Sequence, residues 1–177
     1  MYKRALEGKE KATNNLGILY KKQGRYKEGP EHTSTLDIVN NLGILYKEQG
    51  RYKEAEAMYE RALEGKEKAW GPEHPSTLDT VNNLGNLYKE QGRHEEAEVM
   101  YERALEGYEK TLGKDAVVTY VPFLIAVTNL GLLNADRGQA ARAEELYTVA
   151  LTGVRKVFGD GSDRYKQLEH LLASLSD

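Results

Sequence analysis

Asn82-Asn83-Leu84-Gly85 repeats the earlier stretch Asn40-Asn41-Leu42-Gly43 after an interval of 42 residues. The likeness extends well beyond these four residues. When Thr35–Gly71 is aligned with Thr77–Gly113, 29 of 37 residues are identical. Identity at this level predicts that the two copies fold alike, so the search for internal repeats decides the fold.

Each copy is predicted to form two amphipathic helices, because its apolar residues recur at spacings of three and four. In the second copy the helices should run from about 76 to 91 and from about 94 to 111. Ser76 or Thr77 is expected to cap the first helix, and Gly92 is expected to end it in a left-handed conformation.

Small residues mark where the two helices of a copy should cross. Gly85, Ala97 and Ala104 would let the backbones approach closely, and the neighbouring Tyr88 and Tyr101 would fill the gaps. One hairpin cannot bury its apolar stripe alone, so successive copies must stack. The sequence therefore predicts an all-α superhelix, a solenoid of antiparallel helix hairpins.

Composition limits the classes of function. The 177 residues carry 25 basic and 28 acidic side chains, for a net charge of −3, which gives no reason to expect nucleic acid or an anionic membrane as partner. The absence of cysteine excludes disulfides, thiolate metal sites and a cysteine nucleophile.

One stretch is long enough to span a bilayer, since Ala116–Ala135 contains no charged residue. Its polar residues and Pro122, which is typical of a helix start, instead predict a buried helix of a soluble protein. Because Met1–Glu7 lacks an apolar run, no signal peptide is expected, and we predict a cytoplasmic protein without membrane contact.

The repeats resemble a known family. The signature of the tetratricopeptide repeat (TPR) is similar to Leu84-Gly85, Tyr88, Gly92, Ala97, Tyr101 and Ala104. The 42-residue period and the linker at 68–75 are similar to the repeats of kinesin light chains. The resemblance covers nearly the whole chain. It implies a concave groove, lined by the first helix of each repeat, that binds short linear motifs.

We predict one solenoid domain with five parts. These are a truncated N-terminal repeat at 1–28, intact repeats at 34–70 and 76–112, a divergent repeat at 116–158 and a capping helix at 162–176. Ser162 is expected to cap the last helix.

The N-terminal quarter lacks one second helix and one linker. Either the array is truncated or rearranged, or the gene boundary was predicted incorrectly. Because an uncapped solenoid end exposes apolar surface, self-association of two copies through the N-terminal end is a further expectation.

No catalytic or metal-binding constellation is recognisable. The sequence has no phosphate loop, dinucleotide fingerprint or zinc-binding histidine pair, and we expect no enzyme, cofactor or metal. His32 and His74 occupy equivalent linker positions and should order a turn beside a helix start. The carboxylates should lie on solvated helix faces.

The aromatic residues are expected mainly in the core. We assign Tyr46, Tyr59, Tyr88 and Tyr101 to packing and Trp70 to anchoring a linker. A second group is less constrained and could lie at the surface: Tyr26, Tyr52 and Tyr108.

The candidate groove residues are those predicted to point away from the second helix. They lie five and two residues before each Leu-Gly leucine, and two, five and six after it. The best candidates are Asn14, Asp37, Asn40, Ile44, Lys47, Asp79, Asn82, Asn86, Lys89 and Thr128.

The recurring asparagines suggest how a ligand would be held. An asparagine side chain offers a donor and an acceptor, so Asn14, Asn40 and Asn82 could pair with the backbone of an extended peptide. In the alternative interpretation, an asparagine bonds an adjacent helix and locks the stack, as favoured for Asn41 and Asn83. Groove lysines and glutamates could likewise pair with each other.

Three functions are compatible with these observations. The first is a non-enzymatic scaffold that binds a protein or linear peptide motif in the groove. The second is a C-terminal sensor fragment of a receptor that resembles NLR-like STAND switches. The third, an enzyme, is disfavoured by the missing motifs.

Overall fold

The computed structural model describes residues 33–175, and within this range all regular structure is helical. The predicted repeat at 1–28, together with Asn14, Tyr26 and His32, lies outside the described residues. The helices are α1 Thr33–Glu48, α2 Tyr52–Trp70, α3 Pro75–Glu90, α4 His94–Leu112, α5 Lys114–Val117, α6 Val121–Asp136, α7 Ala140–Phe158 and α8 Asp163–Ala173.

Within residues 33–175, three helix hairpins pack into a solenoid. Repeat 1 consists of α1 and α2, repeat 2 of α3 and α4, and repeat 3 of α6 and α7. Each second helix also packs on the first helix of the next repeat, and α7 packs on α8. Successive first helices contact each other directly, so α1, α3 and α6 line one face, called the inner face below. The all-α superhelix predicted from the sequence is confirmed.

The two helices of each repeat cross at glycines. In repeat 2, a Cβ atom at Gly85 of α3 would lie 2.7 Å from the Tyr101 ring of α4. Reciprocally, a Cβ atom at Gly107 of α4 would lie 2.6 Å from the Leu78 side chain of α3. Each helix therefore provides a glycine on which a large side chain of the other rests. Repeats 1 and 3 contain the same contacts, at Gly43, Gly65, Gly131 and Gly153.

The turn after each first helix uses a glycine in the left-handed region. Gly92 has φ 74°, and Arg93 N–H donates to the Tyr88 carbonyl at 2.9 Å, which closes the end of α3. This confirms the predicted stop at Gly92. The Arg93 guanidinium then lies 4.0 Å from the centroid of the Tyr88 ring, a cation–π contact over the turn.

The start of α3 differs from the sequence-based expectation. The N-cap is His74, whose Nδ1 accepts a hydrogen bond from Ser76 N–H at 3.2 Å, and Pro75 takes the first helical position. The prediction of a Ser76 or Thr77 cap was wrong because Pro75 already has the φ angle that a helix start needs. The His74 ring stacks on Trp70 with centroids 5.0 Å apart, which supports the assignment of Trp70 as a linker anchor.

The uncharged stretch Ala116–Ala135 does not form one helix. Its first residues belong to the short α5, and a turn at Val118–Tyr120 separates them from α6. The prediction of a single buried helix is therefore wrong in extent, although Pro122 does lie in the first turn of α6 as expected. None of the helices among residues 33–175 has the length and apolar composition needed to cross a bilayer.

A single amphipathic helix, α8, follows repeat 3. As predicted, Ser162 caps α8, with its Oγ accepting from Tyr165 N–H at 3.3 Å. Leu168 is buried, and Tyr165, Leu172 and Leu175 pack against the core. The helix runs from Asp163 to Ala173, inside the range 162–176 expected from the sequence.

The crossing tyrosines differ in whether their hydroxyls are paired. Tyr101 Oη donates to Asn86 Oδ1 at 2.7 Å. Tyr59 and Tyr147, at the same position of repeats 1 and 3, bury their hydroxyls without a hydrogen-bond partner. The residues equivalent to Asn86 there are Ile44 and Leu132, which have no acceptor.

A methyl group at the crossing should loosen repeat 2. We expect Gly85→Ala to lower the free energy of unfolding, because overpacking costs about 1 to 3 kcal/mol and exceeds the roughly 1 kcal/mol gained in helix propensity. Urea unfolding followed by circular dichroism measures the change. Gly161→Ala is the control, since a Cβ there meets nothing within 4 Å. A Gly85→Ala chain as stable as the wild type would contradict the close-approach argument.

Removing the tyrosine hydroxyls should have opposite effects in different repeats. Tyr59→Phe relieves an unpaired buried hydroxyl, so we expect unchanged or increased stability. Tyr101→Phe removes a hydrogen bond and leaves Asn86 unpaired, which should cost about 1 kcal/mol. Thermal unfolding compares the melting temperatures of the two variants. Equal melting temperatures would contradict the argument that only the Tyr101 hydroxyl is paired.

Candidate functional site

The inner face is joined from repeat to repeat by asparagine pairs. Asn83 Nδ2 donates to Asn40 Oδ1 at 3.2 Å, and Asn129 Nδ2 donates to Asn82 Oδ1 at 3.3 Å. The sequence left two roles open for these residues, and the structure places them in bonds between adjacent first helices. Asn40 and Asn82 are each 9% exposed.

Ion pairs run parallel to the asparagine pairs. Lys47 of repeat 1 binds Glu90 of repeat 2, and Lys89 of repeat 2 binds Asp136 of repeat 3 at 2.9 Å. In both pairs the lysine of one repeat binds an acidic residue of the next repeat. Their charges are therefore largely compensated within the protein, as one of the sequence-based alternatives foresaw.

Asp37 and Asp79 both contact the second helix of their own repeat, and the Asp37 side chain remains 56% exposed. Asp37 Oδ1 lies 3.0 Å from the ammonium of Lys66, which is only 2% exposed and also donates to the Ser76 carbonyl. Asp79 Oδ1 accepts from the Tyr108 hydroxyl at 2.6 Å. The assumption that these positions face away from the second helix was wrong, because the equivalent positions 66 and 108 carry long polar side chains that reach back to them.

Tyr108 is thereby buried, although the sequence left open that it could lie at the surface. It is 1% exposed, and its ring meets Tyr120 edge-on at 5.4 Å. Burial, followed by the charge of Asp79, raises the pKa of Tyr108. Burial also raises the pKa of Asp79, and the hydrogen bond from Tyr108 only partly opposes this.

Asn86 and Ile44 also belong to the helix crossing. Asn86 accepts the Tyr101 hydroxyl, so it faces α4 and was wrongly predicted to point away from it. Ile44 is half-buried and packs against the core. Neither residue is a free groove side chain.

Repeat 3 replaces the polar residues of the inner face with smaller or apolar ones. Thr128 stands where Asn40 and Asn82 stand in the other repeats, and its hydroxyl donates to the Leu124 carbonyl of its own helix at 2.8 Å. Ile125 replaces Asp37 and Asp79 and is 42% exposed. These residues border a cavity of about 230 Å³ between α6, α7 and α8.

Sequence reasoning missed the role of one equivalent position on the three second helices, which is Lys66, Tyr108 or Val154. Lys66 and Tyr108 occupy one of the eight positions at which repeats 1 and 2 differ, and the signal was available there. It also missed the outer ion pairs, in which Arg93 binds Glu56 at 2.7 Å and Arg137 binds Glu98 at 2.6 Å. Among residues 33–175, no three side chains of His, Asp or Glu are grouped to hold a metal ion.

Two sequence models of the family described as tetratricopeptide repeat match residues 34–110 and 82–156. Together they cover all three hairpins. The chain is a tetratricopeptide repeat protein. No curated protein sequence matches it.

Solved structures show the same fold. BtubC (BKLC) from P. vanneervenii has a TM-score of 0.78 at 24% identity, over 95% of this TPR chain and 66% of its own, so the chain spans just under two thirds of that protein. A Podosopora anserina structure described as kinesin light chain nearly identical TPR-like repeats has a TM-score of 0.75 at 23% identity, over 98% and 80%. The N-terminal domain of stress-induced protein-1 (STI-1) from C. elegans has a TM-score of 0.55 at 19% identity, over 78% and 95%.

The raised pKa of Asp79 predicts a pH-dependent stability of this TPR protein. Its ionised form is disfavoured in the folded state, so the contribution of Asp79 is most favourable at low pH. It falls as the pH rises from the ordinary value of 3.8 through the raised pKa of the folded state. Asp79→Asn removes this loss and keeps an oxygen acceptor for Tyr108. We expect the variant to gain stability relative to the wild type between pH 4 and pH 7, measured by urea unfolding.

Asp37→Asn provides the contrast, because it leaves the buried Lys66 without its carboxylate and should destabilise the protein at pH 7. An unchanged difference between Asp79→Asn and the wild type across this pH range would contradict the argument for Asp79.

Proposed function

We propose that this TPR protein is a scaffold that holds an extended segment of a partner protein along its inner face. Tetratricopeptide repeats are in general non-enzymatic scaffolds for protein–protein interaction. The finer proposal, that the partner lies on α1, α3 and α6, rests on the hydrogen-bonding groups left over once the repeats are joined.

The unused donors of Asn40 and Asn82 carry the proposal. The side-chain oxygen of each accepts a bond from the next repeat, which fixes the orientation of the amide. Each Nδ2 then keeps its two N–H groups without a partner among the described residues. Two such donors, one repeat apart, suit the carbonyl groups of an extended peptide.

Charge compensation on the inner face favours this mode of recognition. Lys47 and Lys89 are already paired with acidic residues, and Asp37 is paired with Lys66. Long-range attraction of a highly charged partner would therefore be weak, and we expect backbone hydrogen bonds and apolar contacts to dominate affinity.

A peptide-display selection tests the proposal. Random 12-residue peptides would be selected on the purified protein, and the best one measured by fluorescence anisotropy. Asn40→Asp with Asn82→Asp keeps the oxygen that accepts from Asn83 and Asn129 but removes the free donors. We expect this double variant to weaken binding roughly five- to 150-fold, since two hydrogen bonds contribute about 1 to 3 kcal/mol together.

Two controls make the result specific. Gln139→Glu adds a negative charge at an exposed turn and should leave affinity unchanged. NMR chemical-shift mapping should place the peptide on α1, α3 and α6. Equal affinity for the double variant, shifts confined to the second helices, or no selected peptide under conditions that succeed for another TPR protein would each overturn the proposal.

The other functions considered from the sequence gain no support from the described residues. A sensor region of an NLR-like receptor stays a prediction, as does self-association through the N-terminal end. An enzymatic role has no observation in its favour.

A further inference from the structure

One position of the second helix changes size along the array. Lys66, Tyr108 and Val154 are equivalent residues of α2, α4 and α7, and all three are buried. The first two reach across to the first helix of their own repeat and to the start of the next. Lys66 binds Asp37 and the Ser76 carbonyl, whereas Tyr108 binds Asp79 and packs on Tyr120. Val154 is too short to do either.

The facing position on the first helix also changes in repeat 3. Asp37 and Asp79 are followed by Ile125, so repeat 3 has neither the large polar side chain nor its acidic acceptor. Both residues of the repeat 3 pair, Ile125 and Val154, line the cavity of about 230 Å³ beside α8.

Burial divides the cavity into a floor and a rim. Leu124, Val154 and Leu168 form an apolar floor and are at most 4% exposed. The rim includes Ile125 and Phe158, both more than 40% exposed. The guanidinium of Arg164 lies 4.7 Å from the centroid of the Phe158 ring and holds it at the rim. The opening is continuous with the inner face, because Ile125 and Thr128 belong to both.

The size and polarity of the cavity restrict its occupant. An aliphatic cavity of about 150 Å³ already accommodates a benzene ring, whereas sites for drug-sized ligands measure about 300 to 1,000 Å³. One six-membered ring therefore fits, as the Tyr108 ring does in repeat 2. The lining is completed by Thr128, Asn129, Arg164 and Gln167, which are half-buried or exposed. A ring that reaches past them would point its tip at the buried aliphatic floor, where a phenol hydroxyl would find no partner.

We propose that this cavity binds a phenylalanine side chain of the partner polypeptide that lies on the inner face. The inference rests on the proposed function and adds the chemistry of the partner: an extended segment with a phenylalanine that reaches repeat 3. Contact with the Phe158 ring supplies an aromatic pair in addition to the buried apolar area.

Capped amino acids test the cavity independently of any longer peptide. N-acetyl-phenylalaninamide, N-acetyl-tyrosinamide and N-acetyl-alaninamide would be titrated into the ¹⁵N-labelled full chain. We expect saturable shifts from the phenylalanine compound at the start of α6, the end of α7 and the start of α8. The tyrosine compound should bind about tenfold more weakly, because it buries an unpaired hydroxyl, and the alanine compound should not bind there.

Two variants fill or charge the site. Val154→Phe occupies the floor from within, and Val149→Phe is its control on the same helix, at a position that is 42% exposed. Ile125→Asp introduces the residue that repeats 1 and 2 carry at this position, so the fold should tolerate it even if Val154→Phe does not. Both site variants should lose the phenylalanine-specific shifts, and Val149→Phe should retain them.

The outcomes separate this inference from the proposed function. Absence of shifts at the cavity, equal binding of the tyrosine compound, or unchanged binding by folded Val154→Phe or Ile125→Asp would overturn it. If selected peptides still required the donors of Asn40 and Asn82, the scaffold function would survive that failure. If the cavity bound the phenylalanine compound while no peptide bound the inner face, the inference about the cavity would be supported. The proposed scaffold function would then be wrong.

Discussion

The close approach of two backbones at each glycine crossing is the constraint on which the rest of the structure depends. Gly85 lies under the Tyr101 ring and Gly107 lies under Leu78, so neither helix can move away without opening the core. Dense packing of this kind tolerates little added volume. Because the contact recurs in all three repeats, it sets the geometry of every hairpin and hence the direction of every side chain on the inner face.

Stacking of these hairpins uses most of the polar groups that a ligand could otherwise contact. Asn83 and Asn129 bind the preceding repeat through Asn40 and Asn82, while lysines bind acidic residues of the next repeat. Arg93 performs a similar role on the outside by binding Glu56. The contacts that hold the array together therefore also fix the orientation of the Asn40 and Asn82 amides on the inner face.

The divergent repeat 3 differs from the two nearly identical repeats in the residues that connect its helices. At one position the sequence has Lys66, Tyr108 and then Val154, and on the facing helix the acidic residue becomes Ile125. Each of the first two pairs satisfies a buried polar group, as burial requires. The third pair has no polar group to satisfy, and both of its residues line the cavity beside α8.

The sequence by itself determined the repeat, the helix pairs, the glycine turns and the cap at Ser162, because helix periodicity and turn chemistry are local. It identified Asp79 and Asn82 as candidate groove residues. It predicted the wrong direction for the Asp79 side chain and left the role of Asn82 open. Only the tertiary structure showed the partners of Asp79 and Asn82, since these are Tyr108 and Asn129, residues on other helices. Which polar groups are consumed in holding the array together depends on distances across repeats, and no local pattern contains those distances.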